Sequence, residues 1–178
     1  MSDTREAQAL VPSERWVRSV LQNISDTVSI ADASGRLVYN SGSQNNTLGY
    51  PESFWHGAEP MALVHPDDLD RAMAAWARAA SQPGTEIFEE VRMRAADGSW
   101  QDIAVSGVNL LDDPEVRGFL MTTRNITPLR RAQRLASHQA AVLELIATGE
   151  PLGSVAEACM ALLDDNGFTG RSAIYLLE

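Results

Sequence analysis

From Ser13 the apolar positions Trp16, Val17, Val20, Leu21 and Ile24 recur at helical spacing, and Ser13 is placed to cap the first turn. The period then changes to two. Asp26–Ala31 sets Val28 and Ile30 against Thr27 and Ser29, and Asp32-Ala-Ser-Gly35 turns the chain into a second short strand over Arg36–Ser41. Residues 42–66 are rich in Gly, Asn, Ser and Pro, with apolar residues only in patches, which predicts loops and short helical turns. A helix follows over Asp67–Ser81. Acids at its start suit the positive end of the helix dipole, and Pro83-Gly84 stops it. Its expected buried stripe is Leu69, Met73, Trp76 and Ala80. Three longer strands come next, Glu86–Ala95, Trp100–Leu111 and Arg117–Ile126, joined by the Asp97-Gly98 turn and by Asp112-Asp-Pro-Glu115. Pro128 interrupts before a helix over about Leu129–Ala147. Gly149-Glu-Pro151 breaks that helix, a second one spans Leu152–Asp164, and Ser172–Leu177 reads as one more strand. Consecutive hairpins imply an antiparallel sheet with its helices on one face, an α+β fold.

Composition narrows the partners. The chain of 178 residues carries 24 acids and 14 bases, all of them arginine, for a net charge of −10. Such a surface repels phosphate backbones, so nucleic acid is not an expected partner. No stretch reaches the roughly 18 apolar residues of a membrane span, and MSDTREAQAL lacks the layout of a signal peptide, so a soluble, cytoplasmic protein is expected. Cys159 is the only cysteine, which leaves no internal disulfide, and no Cys/His cluster has zinc spacing.

Several segments in this order resemble a PAS domain of the bacterial sensory subgroup. They are the helix and hairpin WVRSVLQNISDTVSIADASGRLVYNS, Ser41-Gly-Ser43 with Leu48-Gly-Tyr50, Val64-His-Pro-Asp-Asp68, Ala96-Asp-Gly-Ser-Trp100, and Asn109–Pro114 through Arg124-Asn-Ile-Thr127. The resemblance implies a five-stranded antiparallel sheet with short helices on one face, flanked by an N-terminal and a C-terminal linker helix. It divides the chain into a flexible start (1–12), a sensor domain (13–127), a linker helix (128–148) and, over 149–178, a segment resembling the truncated start of a GAF domain. Two positions depart from the pattern. Asn125 stands where the closing motif usually has aspartate, and Asp102 where the hairpin usually has tryptophan.

The resemblance also implies a function. A signal would alter the sheet and pass through Asn125, Ile126 and Thr127 into the linker helix, then to an output domain such as a cyclic-di-GMP turnover enzyme or a histidine kinase. The segment itself is not expected to be an enzyme. It has no P-loop, no G-x-S-x-G and no G-x-G-x-x-G. The acids Asp67, Asp68, Glu86, Glu89, Glu90, Asp112 and Asp113 are expected to be solvated, and their spacing does not make a calcium loop. Haem is not expected, because relatives that bind it place their ligand within the longest helix and Asp67–Ser81 has no histidine. His65 is read as holding the turn before that helix. Covalent flavin is not expected either, because Cys159 lies outside the sensor domain.

The promising site is the apolar interior. Its expected lining is Val28, Ile30, Trp55, Met61, Met73, Trp76, Val91, Met93, Ile103, Val105, Leu120 and Thr122, with Val38, Leu48 and Leu63 nearby. Such a set forms either a close-packed core or a pocket for a small apolar ligand. The apolar faces of the N-terminal and linker helices predict a homodimer. A ligand-free dimerisation module is the alternative function.

Overall fold

A computed structural model of the chain describes residues 13–42 and 47–165, with side chains described as far as residue 160. The expected SAIYLL strand lies outside the described residues. Contacts divide the chain into two units, Met1–Asn125 and Ile126–Glu178.

The first unit opens with helix α1 (Glu14–Asn23), whose Trp16 amide donates to the Ser13 hydroxyl. Strands β1 (Thr27–Ala31) and β2 (Leu37–Asn40) follow, then two 3-10 turns (Glu52–Trp55 and Pro60–Leu63) and helix α2 (Pro66–Ala80). Strands β3 (Glu86–Arg94), β4 (Trp100–Leu110) and β5 (Gly118–Asn125) complete it. The sheet order is β2-β1-β5-β4-β3, with every neighbouring pair antiparallel. The expected α+β architecture is thus the observed one. Gly118 is required where β5 meets β1, because a Cβ there would lie 2.6 Å from the Ala31 carbonyl oxygen.

Both edges of the sheet are tied to the covering chain. At the β2 edge, the Leu37 amide donates to the Ala58 carbonyl and the Gly57 amide to the Leu37 carbonyl. At the β3 edge, Val64 pairs with Met93, and the His65 amide donates to the Arg92 carbonyl. Residues 57–65 therefore run as a strap from one edge to the other, and pair with Leu37 at one edge and with Arg92 and Met93 at the other.

Helix α2 meets the sheet on Ala72, Ala75 and Ala79, not on the expected stripe of Leu69, Met73, Trp76 and Ala80. Met73 is 56% exposed, and Trp76 lies on the flank, its ring 4.2 Å from that of Phe119. Alanine lets a helix approach closely, while ranking positions by side-chain size points to the wrong side. Three anchors fix α2 to β3 and β4. Arg92 pairs with Asp68 through Nε at 2.9 Å, and Arg71 forms an ion pair with Glu89. Asn109, almost fully buried, donates from Nδ2 to the carbonyls of Ala79 (2.7 Å) and Gln82 (3.1 Å). Hydrogen bonds from Arg92 hold the Asp68 carboxyl down to about 2.

In the second unit, helices α3 (Thr127–Ala147) and α4 (Leu152–Asp165) pack on each other across Gly149, whose φ of +72° suits the reversal. Among the described residues no helix is long and apolar enough to cross a membrane.

Candidate ligand cavity

Between the sheet and its cover lies a cavity of about 390 Å³. Strands β3 and β4 contribute Ile87, Glu89, Val91, Met93, Ile103 and Val105. Strands β1 and β5 add Ser29, Met121 and Thr123, and the strap with the 3-10 turn before it supplies Trp55, Met61 and Val64. Ala72, Met73, Ala75 and Trp76 of α2 close it, beside Gly35 of the first hairpin turn. The Trp55 ring is held in a cluster with Tyr50 and Phe54, edge-on to both.

Eight of the expected residues line this cavity: Trp55, Met61, Met73, Trp76, Val91, Met93, Ile103 and Val105. Four do not. Val28 and Ile30 pair with Thr122 and Leu120 on the opposite face of the sheet. Their inward neighbours are Thr27, Ser29 and Ala31 on β1, and Phe119, Met121 and Thr123 on β5. Val38, also expected inside, is 62% exposed. On β1 the interior takes the small side chains of TVSIA, Thr27, Ser29 and Ala31, and leaves the larger apolar Val28 and Ile30 on the other face. The β1–β5 register, with Phe119 opposite Ala31, is the signal that distinguishes the faces, and it is not local in the sequence.

The expectation of solvated acids also needs correction at two positions. The Asp68 and Glu89 side chains are each only 15% exposed, and both are engaged by arginine. Glu89 stands on the inner face of β3 and reaches Arg71 and Arg78 of α2. His65 holds the turn before α2, its Nδ1 accepting from the Asp67 amide at 3.2 Å while its ring meets Trp100. Asn125 ends β5 and donates from Nδ2 to the Thr47 carbonyl (3.2 Å) and to Gln101 Oε1 (3.4 Å), contacts that a carboxylate could not make as donor. Ile126 and Thr127, both buried, begin α3.

Comparison with known proteins agrees with this geometry. Residues 37–123 match the family model described as the PAS fold. The fold is PAS-like. The PAS domain of a protein from Colwellia psychrerythraea superposes with a TM-score of 0.54 at 22% identity, covering 64% of this chain and 97% of that one. A domain of the sensory box sensor histidine kinase/response regulator from Geobacter sulfurreducens gives 0.51 at 22% identity, over 62% and 92%. In sequence, the chain is 30% identical over 125 residues to the C4-dicarboxylate transport sensor protein DctS of Rhodobacter capsulatus. That match covers 68% of this chain and 19% of the relative. The PAS-like domain therefore resembles a part of a bacterial sensor protein.

Proposed function

We propose that the PAS-like domain is the sensory module of a signalling protein, and that a small molecule held in the 390 Å³ cavity is its signal. The cavity is the observation that carries this reading, since its size falls in the range of ligand sites and well above ordinary packing voids. Occupancy would shift the strap and α2 against the sheet. The change would leave along β5 through Asn125, Ile126 and Thr127 into α3, and from there reach an output domain, a histidine kinase or a cyclic-di-GMP turnover enzyme. The segment 149–178 is read as the start of a GAF-like domain on that route. We read the module as non-catalytic, with the carboxylates of α2 and β3 serving as arginine partners.

The test is mass spectrometry of small molecules released when natively purified chain is denatured. A defined compound should appear in near-stoichiometric amount and be lost in Ala75→Phe, which places a ring in the cavity. Release of nothing from the unaltered chain, together with higher stability of Ala75→Phe, would favour the ligand-free reading.

One observation supports a second role. Helix α1 exposes Trp16, Val17, Val20 and Ile24, and α3 exposes Leu129, Leu143 and Ile146. Apolar stripes of this kind suit a two-fold contact with a second copy of the chain. Light scattering should give a dimer that Val20→Glu weakens; a monomer at high micromolar concentration would count against it.

A further inference from the structure

The methionines of the chain are concentrated on one feature. Four of the six, Met61, Met73, Met93 and Met121, line the cavity. They come from four separate elements: the 3-10 turn of the strap, α2, β3 and β5. No local run of sequence puts them together; the fold does. Met73 is 56% exposed and Met61 half-buried, while Met93 and Met121 are buried in the sheet floor. Two of the four tryptophans, Trp55 and Trp76, belong to the same wall. Each of these rings is already held by others, Trp55 by Tyr50 and Phe54, and Trp76 by Phe119.

A thioether differs from the hydrocarbon of leucine in two ways. Its rotatable bonds let it follow the outline of whatever it meets, and its polarisable sulfur is attracted to aromatic rings. The tryptophans offer the opposite quality, rigid ring surfaces against which a further ring gains more than its buried area alone. A wall built of both rewards a flat, polarisable molecule over a saturated one of equal size. Charge has no place in it. The ionisable side chains among the described lining residues are Glu59 and Glu89, and arginines outside the wall engage both. The desolvation of a charged ligand would therefore go uncompensated. An apolar cavity of about 150 Å³ can hold one benzene ring, so the 390 Å³ here has room for two fused rings.

We infer that the ligand of the cavity is an uncharged aromatic molecule of one or two rings, and that the four methionines select it over a saturated molecule of the same shape. The inference rests on the sensory reading above and names the class of signal which that reading leaves open.

Benzyl alcohol and cyclohexylmethanol carry the same hydroxymethyl group on rings of similar size. The saturated alcohol is the more apolar of the two, so burial alone would favour it. The full chain, labelled at methionine methyls, is titrated with each alcohol and followed by NMR. Benzyl alcohol is expected to bind about 3- to 10-fold more tightly, the effect of one or a few sulfur–ring contacts. Its ring current should shift the methyls of Met61, Met73, Met93 and Met121. Replacing all four by leucine, a volume-conserving exchange, should bring the ratio to one or below. If that variant does not fold, Met61→Leu combined with Met73→Leu, at the two more exposed positions, should still lower the ratio. A ratio at or below one in the unaltered chain, or a ratio that leucine replacement leaves unchanged, overturns the inference while leaving the sensory reading intact. If neither alcohol moves the methionine methyls, the cavity is not a ligand site, and the sensory reading fails with the inference.

Discussion

On β3 and β4 the positions facing α2 include Ile87, Val91, Met93, Ile103 and Val105, and the outward ones carry charge at Glu90, Arg92, Arg94 and Asp102. On β1 and β5 the arrangement is partly reversed: Thr27, Ser29 and Thr123 face inward, while Val28, Ile30 and Leu120 face outward. Helix α2 is fixed onto β3 and β4 by the Arg92–Asp68 and Arg71–Glu89 pairs and by Asn109. On β1 the small polar side chains are themselves fully buried, Thr27 at 0% and Ser29 at 1% exposure. Further along β1 and β5, Ala31 and Phe119 face inward, and Trp76 lies against the Phe119 ring at a 40° tilt.

If the inward polar groups of one half are tied to α2 and the Thr123 hydroxyl of the other has no partner, substitutions in the two halves must differ in size and sign. The largest loss is expected at Asn109. Asn109→Ala removes the bonds to the Ala79 and Gln82 carbonyls and the acceptor of the Leu111 amide, and should cost about 2–3 kcal/mol in urea unfolding. A loss below about 1 kcal/mol would mean that α2 is held some other way.

Asp68→Asn comes next, at about 2 kcal/mol near neutral pH, because the carboxyl's value falls from 3.8 to about 2 on folding. A lowered folded-state value gives stability that is complete above about pH 4 and lost as pH falls toward 2. The gap between the unaltered chain and the variant should therefore close across that window. A gap that persists at the acid end would show that packing, not charge, ties this residue to β3.

The smallest effect, and of opposite sign, is expected on β5. Without ligand, Thr123→Val removes an unpartnered hydroxyl and should be neutral or stabilising by up to about 1 kcal/mol. A loss of more than that would show that the hydroxyl is bonded in the folded chain and remove the contrast between the halves.

Most of the fold was legible because its signals are local. Alternation over Glu86–Arg94, the Asp97-Gly98 turn and the Ser13 cap each depend on a few neighbouring residues, and the strands fall within a residue or two of the expected bounds. The cavity was legible where inward residues are also the apolar ones, as at Val91, Met93, Ile103 and Val105. It was not legible on β1, where a period of two separates two faces without saying which is inside. Only pairing with a strand some 90 residues later fixes that choice. Helix α2 shows the same limit, since its alanines carry too little hydrophobic signal to compete with Met73 and Trp76.

The placement of the four tryptophans has an optical consequence. Trp55 and Trp76 wall the cavity, whereas Trp16 and Trp100 are 48% and 42% exposed. Excited near 295 nm, the chain should emit as the sum of a solvent-relaxed red component from the exposed pair and a bluer one from the cavity pair. A compound within the cavity would lie close to two of these fluorophores and far less so to the others. The domain thus carries its own emission gauge of occupancy, with Trp16→Phe and Trp100→Phe as the changes that would clear its background.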